Sequence, residues 1–308
     1  MSSDTSVDVE AHGPPVGGTV PAGMTAPSLI EAPTVRVEPP KRRIVRIAAV
    51  VLPPLVLVAV FVGFWYFVSR VWMSERRRFL VPPPDEVVRR GFFEWDNLHE
   101  LLDALWSSVR VAGIGLAISV VLGVALATLM SQSKLIERAT FPLMVALQAM
   151  PILTLVPMIA IIFGSNQTSR VIVCVLITIF PIVLNTLFGL VSGDPGLHDL
   201  ITLHHGGRIT RLRKVMFPSA LPAMFAGLRI SAGLSVIGAI VGDFFFGKGE
   251  KGLGQLIRQY ASNSNDIPVM YATTLVAATL GIVVFLLFGV LQHAVIGAWY
   301  DSKSGGGR

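Results

Sequence analysis

Charged side chains are scarce in this sequence of 308 residues. Only 14% of the residues are Asp, Glu, Lys or Arg, whereas 53% are hydrophobic, and the mean hydropathy is +0.68. Soluble domains carry about 25% charged residues. The balance excludes an ordinary soluble domain and predicts an all-α, polytopic membrane protein.

Three further absences limit the function. The one cysteine, Cys174, lies in an apolar run and is interpreted as a buried thiol, because a single cysteine is too few for an intrachain disulfide or a zinc site. The sequence has no G-x-x-x-x-G-K-[ST] loop, so ATP is not expected to bind to this chain. No carboxylate pair, Ser/His/Asp set or metal-ligand cluster has usable spacing, so we expect no enzyme, no metal and no cofactor.

Long apolar runs dominate what is present. A membrane-spanning helix needs about 20 mostly apolar residues, and six candidates satisfy this. They lie at residues 44–68, 106–130, 139–163, 170–192, 218–246 and 270–298. Glycines in the second and fifth spans favour close helix packing, and the prolines of the third span favour a place among other helices.

The remaining segments define the expected domain organisation. Residues 1–40 are rich in Pro, Gly, Ser and Thr and are predicted to form a disordered cytoplasmic tail. Residues 41–105 then hold the first span and an external linker, and residues 106–298 hold a core of five spans. A cytoplasmic loop interrupts this core at 193–217, and residues 299–308 form a C-terminal tail. The run GKGEKGLG (247–254) is interpreted as a turn before a short external helix.

The positions of the basic residues indicate how the chain is oriented in the membrane and which partner the net charge of +6 suggests. They flank spans and are not interleaved with aromatic residues, so a membrane surface is favoured and nucleic acid is not expected as a partner. Lys and Arg are nearly balanced between the two faces. With the cluster at 41–46 on the inside, both termini are expected in the cytoplasm.

One loop between spans, residues 201–222, is unusually basic. Ile209, Leu212, Val215 and Met216 recur at spacings of three and four, and cationic residues occupy the other faces. This pattern predicts a short amphipathic helix that begins after Gly206–Gly207 and ends where Pro218 starts the next span. Two interpretations are open, namely a surface helix that touches lipid headgroups and a docking surface for a soluble partner.

The same loop carries a family resemblance. The runs GGRITRLRKVMFPSALP (206–222) and AGLRISAGLSVIGAIVGDFF (226–245) resemble the signature loop of the membrane-spanning subunits of bacterial ABC importers, in particular the nitrate/sulfonate/taurine permease group. LVPPPDEV (80–87), LQAMPILTLVPMIAIIFG (147–164), GDPGLHDL (193–200) and GLGQLI (252–257) resemble other motifs of this group, in the same order.

The resemblance implies a type I ABC importer permease core in the bacterial plasma membrane. It also implies partners: a cytosolic ATP-binding cassette subunit that binds the ATP, an external substrate-binding protein or lipoprotein, and a second permease copy in a homodimer. The loop would form a coupling helix seated in a groove of the ATPase. The residues expected to carry this coupling are His204, His205, Gly206, Gly207, Arg208, Ile209, Arg211 and Leu212.

One position departs from the family pattern. His205 stands where the group usually has glycine, and Gly206 where it usually has alanine. The helix break is therefore expected at Gly206–Gly207. The departure also motivates an alternative of another class, a non-transporting membrane scaffold or sensor with a degenerate coupling loop.

Polar and adaptable residues inside the spans are candidates for a translocation path. These are Gln148, Met150, Asn185, Asp243 and Phe244. For Gln148, Met150 and Asn185 the alternative is contact between helices, and for Asp243 it is a carboxylate that faces water at the membrane surface. The expected solute is a sulfonate, taurine, nitrate or a similar small polar compound. The alternative solute is a vitamin precursor such as a thiamine pyrimidine or riboflavin, which the run LSVIGAIVGDFF favours.

Overall fold

The computed structural model describes residues 41–304, apart from the side chains of 41–51, 75–76, 296 and 298–304. The predicted tail at 1–40 and residues 305–308 lie outside the described residues. The described chain is helical and has no strand. Its α-helices are α1 (Lys41–Phe67), α2 (Pro84–Val88), α3 (Trp95–Gln132), α4 (Lys134–Ala149), α5 (Ile152–Phe163), α6 (Gln167–Val191), α7 (Pro195–Leu203), α8 (Arg208–Arg211), α9 (Phe217–Phe245), α10 (Leu253–Ala261) and α11 (Ile267–Ser304).

The membrane-length helices agree with the prediction in five cases. Single helical segments long and apolar enough to cross a membrane lie at Leu52–Trp72, Trp95–Gln132, Gln167–Val191, Arg208–Phe245 and Ser264–Val295. The third predicted span is instead two helices, α4 and α5, which meet at an angle of 99°. Met150 and Pro151 at the junction have extended backbones, and Pro151 cannot donate the hydrogen bond that would continue α4.

Within the described residues, the chain divides after Leu57 into two units, and the second unit, 58–304, contains the helices from the end of α1 to α11. Near its start, Trp65 donates a hydrogen bond to the Pro82 carbonyl at 3.0 Å, and Ser69 donates one to the Val81 carbonyl at 2.7 Å. The Trp65 ring also lies 5.7 Å from the ring of Tyr271 in α11. The end of the first span is thereby fixed to α11 and to the linker before α3.

The centre of the second unit is α6, which lies between α3 and α9. Small residues permit this approach: a Cβ atom added to Gly238 of α9 would lie 2.8 Å from the Cα atom of Cys174 in α6. In α3, a Cβ atom on Gly115 would lie 2.7 Å from the Cβ atom of Cys174. Glycine therefore permits close packing in the second and fifth spans, as predicted, and Cys174 is fully buried, as predicted.

Antiparallel packing gives the bundle two ends. One end, here named the α7–α8 end, holds helices α7 and α8 together with the C-terminus of α3. The other, the α10 end, carries the predicted turn and short helix after span five. There α10 buries Leu253, Leu256 and Tyr260, and Glu100 of α3 accepts hydrogen bonds from Lys251 at 2.7 Å and Tyr260 at 2.6 Å.

Candidate functional site

The segment between α6 and α9, residues 192–216, begins with a well-capped helix. Asp194 accepts a hydrogen bond from the backbone N–H of Gly196 at 2.8 Å, and Pro195 occupies the first helical position. Both features are typical of helix starts. Helix α7 therefore starts at a fixed point directly after α6.

The end of α7 is a Schellman motif. The N–H of Gly206 donates to the Ile201 carbonyl at 2.9 Å, and the N–H of His205 donates to the Thr202 carbonyl at 3.0 Å. This pair of bonds needs a left-handed residue just past the helix end, and His205 takes that conformation with φ 54°. The strained position is thus His205, whereas the sequence placed the break at Gly206–Gly207. The backbone geometry of a glycine is retained here by a histidine.

Helix α8 has two different sides. Arg208 and Arg211 are three residues apart and share one side, and Arg211 donates from Nη2 to Thr202 Oγ1 of α7 at 3.0 Å. Ile209 points away and is 73% exposed. The predicted apolar stripe is therefore divided, because Val215 and Met216 are buried while Ile209 faces outward.

The predicted start of span five at Pro218 agrees with the start of α9 at Phe217, but no break separates α9 from the surface helix. The surface helix and span five form one continuous helical segment, Arg208–Phe245. Residues Leu212–Met216 form a π turn, in which the N–H of Phe217 bonds to the Leu212 carbonyl. Pro218 follows it and has no N–H for the Lys214 carbonyl, and the wider turn carries the helix through this position. Met216 packs with Leu190 of α6 and Ala220 of α9, which fixes the segment to the bundle.

The predicted path residues lie in three places. Gln148 and Met150 are exposed at the bend between α4 and α5. Asn185 is half-buried in α6 and donates to the Pro181 carbonyl of its own helix at 2.8 Å. Phe244 packs edge-on against Phe245 near the end of α9. The structure does not bring the five residues together in one chain, and their role in a path stays a prediction.

Asp243 is fully buried and does not face water. Its carboxylate accepts a hydrogen bond from Ser108 of α3 and lies 3.4 Å from Nη1 of Arg170 in α6. Arg170 also donates to the carbonyls of Phe246 at 3.1 Å, Glu250 at 2.7 Å and Lys248 at 3.4 Å. This network holds the 246–252 turn against the bundle.

Sequence reasoning did not single out Arg170 and Ser108. Arg170 lies at the N-terminal boundary of the predicted span 170–192. The sequence signal that could have identified it is the position of an arginine in the first turn of an apolar helix, because a charge at membrane depth requires a partner.

The comparisons with known proteins agree with this geometry. The family described as binding-protein-dependent transport system inner membrane component matches residues 119–297, more than half of the chain. The chain belongs to this family. It is the permease component of an ABC importer of the binding-protein-dependent type, as the sequence motifs predicted.

Relatives of this permease are named for different transported compounds. It is 33% identical to the formylaminopyrimidine transport permease protein of Halalkalibacterium halodurans, over 76% of this chain and 93% of that protein. It is 25% identical to a putative aliphatic sulfonates transport permease protein of Bacillus subtilis, over 89% of this chain and 95% of that protein.

A solved structure shows the same fold. The crystal structure of an amino acid ABC transporter with histidines aligns with a TM-score of 0.51 and 18% identity, over 65% of this chain and 94% of that chain. The prediction of an all-α permease core is therefore confirmed.

Proposed function

We propose that this permease docks a cytosolic ATP-binding cassette subunit on α7 and α8 and couples ATP hydrolysis there to solute import across the bacterial plasma membrane. The observation that carries the proposal is the exposure of apolar side chains in α7 and α8, at the end of the bundle. Leu203 is 77% exposed and Ile209 is 73% exposed. Such residues at a helix–break–helix segment favour a protein partner over solvent.

The charges of the segment support the same partner. The exposed cations Arg213 and Lys214 follow Ile209 along the chain, so the surface fits a groove with an apolar floor and an acidic rim. The proposal places the α7–α8 end in the cytoplasm, where ATP is available. Both chain termini then lie in the cytoplasm as well. The α10 end then faces the external binding protein.

The continuous helix Arg208–Phe245 gives the coupling a mechanical route. At about 1.5 Å per residue, its 38 residues reach from the docking surface to the buried pair of Arg170 and Asp243 at the α10 end. Movement of α8 by ATPase closure therefore displaces α9 along α6. Coupling of this kind needs two arrangements of the helices and a ligand that favours one of them.

A second permease copy is part of the proposal. The bend between α4 and α5 leaves the apolar side chains Leu153, Ile161 and Ile162 exposed, together with Gln148 and Met150. A homodimer that covers this surface would bring the path candidates of two copies to face each other. Solute binding near discontinuous helices is common among transporters.

Two solute classes are proposed. The relative named for formylaminopyrimidine transport is 33% identical, which supports a vitamin precursor. The relative named for aliphatic sulfonates is 25% identical over more of the chain, which supports a sulfonate or a similar anion. Uptake of labelled formylaminopyrimidine and taurine by cells with and without the permease separates them.

The alternative of a non-transporting scaffold rested on His205. The Schellman bonds are formed and φ is left-handed at this residue, so the histidine does not remove the loop geometry, and transport is favoured.

Docking is tested by exchanging one exposed side chain. Ile209→Asp is expected to abolish copurification of an ATP-binding cassette subunit with the permease, identified by mass spectrometry. Val88→Asp is the matched control, because Val88 is an exposed aliphatic residue of α2, outside the docking segment. Equal recovery of the ATPase with Ile209→Asp and with the control contradicts the docking surface.

A further inference from the structure

A cavity of about 300 Å³ lies between the C-terminus of α3 and the α7–α8 segment. It is lined by Ser131, Gln132, His198, Arg208, Arg211 and Met216. Five of these six residues are polar, and none of them carries a carboxylate. The volume is at the lower limit of ordinary small-ligand pockets.

The cations of this cavity have no counter-charge within the described residues. Arg208 and Arg211 lie on the same side of α8, and neither has a carboxylate oxygen within 4.0 Å there. Arg211 uses Nη2 on Thr202, but its Nε is buried and has no hydrogen-bond partner among the described atoms. A buried donor without an acceptor is costly, so an acceptor that enters the cavity is stabilised.

The neutral lining residues also offer donors. The Gln132 amide donates to Ser131 Oγ at 3.1 Å and to the weak acceptor Met216 Sδ at 3.8 Å. The nearby carboxylate of Asp194 does not line the cavity and accepts from the N–H of Gly196. The lining therefore combines two guanidinium groups with amide, hydroxyl and imidazole groups, an arrangement suited to a small oxyanion.

We propose that this cavity binds a phosphate-class oxyanion, supplied either as free phosphate or as the headgroup of an anionic phospholipid. The anion would join α8 to the C-terminus of α3 and hold the α7–α8 segment in place. This site goes beyond the proposed transport function, because it requires neither the ATPase nor the imported solute.

The test uses the full-length chain in detergent and in vesicles. Thermal unfolding is followed in sodium phosphate and in sodium chloride of equal ionic strength. Phosphatidylglycerol retained from mixed phosphatidylglycerol–phosphatidylcholine vesicles is measured by native mass spectrometry. The variants are Arg208→Gln and, should that variant fold poorly, Gln132→Leu. Arg213→Gln is the matched control, because it removes one exposed cation of the same segment that does not line the cavity.

The expected result is binding that Arg208→Gln weakens by about tenfold or more, the effect of losing one charge-assisted contact, while Arg213→Gln leaves it unchanged. Stabilisation of the protein by free phosphate identifies the soluble ion as the ligand. Selective retention of phosphatidylglycerol, with no stabilisation by free phosphate, identifies the lipid headgroup as the ligand. The proposal is overturned if neither probe binds, or if both Arg variants have equal effects. It is also overturned if Arg208→Gln reduces only ATPase copurification.

Discussion

Arg170 and Asp243 form an ion pair inside the helix bundle, with 3.4 Å between Nη1 and Oδ1 and almost no exposure of either side chain. The pair joins α6 to α9 at the α10 end, and Ser108 connects it to α3 and, through the N–H of Leu253 at 2.9 Å, to α10. Four helices therefore depend on one buried carboxylate.

Removal of either partner alone should be strongly destabilising. Arg170→Gln or Asp243→Asn leaves an uncompensated buried group, and such losses cost about 3–5 kcal/mol. The double variant should lose less than the sum of the single losses, because neither charge then remains unpaired. Thermal unfolding in detergent measures the cycle. Arg110→Gln is the control, since it breaks an exposed pair with Glu250 and should cost little. Additive single losses would contradict the coupling.

His205→Gly should stabilise the end of α7. Glycine takes φ 54° without the steric cost of a Cβ atom, which is about 1 kcal/mol or more, although it loses more entropy on folding. The expected net gain is about 0.5–1 kcal/mol. Hydrogen exchange of residues 200–206 should slow. His204→Gly serves as the comparison, because His204 has φ −83° and gains nothing from glycine. Faster exchange in His205→Gly would contradict the strain.

Gly206 and Gly207 should differ in their tolerance of alanine. A Cβ atom on Gly206 would lie 2.6 Å from Cγ2 and 3.0 Å from the carbonyl oxygen of Ile201, whereas one on Gly207 meets nothing within 4 Å. Gly206→Ala should cost about 1–3 kcal/mol through overpacking, and Gly207→Ala should be nearly neutral. Protease sensitivity of the α7–α8 segment measures both, and equal sensitivity would argue against the close contact.

The sequence predicted the membrane helices well because the bilayer imposes their length and apolarity. The predicted spans 170–192 and 218–246 overlap α6 and α9 closely, and ordered motifs located the α7–α8 segment. The bend at Met150–Pro151, the π turn at Leu212–Met216 and the pairing of Arg170 with Asp243 were not predicted. Each depends on which helices pack together, and neither periodicity nor composition carries that information.

Arg229 of α9 stacks on an aromatic ring in α11. Its guanidinium carbon lies 4.1 Å from the ring centroid of Phe285, and its Nε is buried without a hydrogen-bond partner among the described atoms. The cation–π contact is worth about 0.5–2 kcal/mol. Phe285→Leu should therefore lower the thermal unfolding midpoint, whereas Phe285→Tyr, which keeps the aromatic face, should retain it. If the cation–π contact is the source of the difference in unfolding midpoint between Phe285→Leu and Phe285→Tyr, that difference should disappear when Arg229 is also replaced by Met. A difference that persists with Arg229→Met would assign the effect to packing of α11 alone.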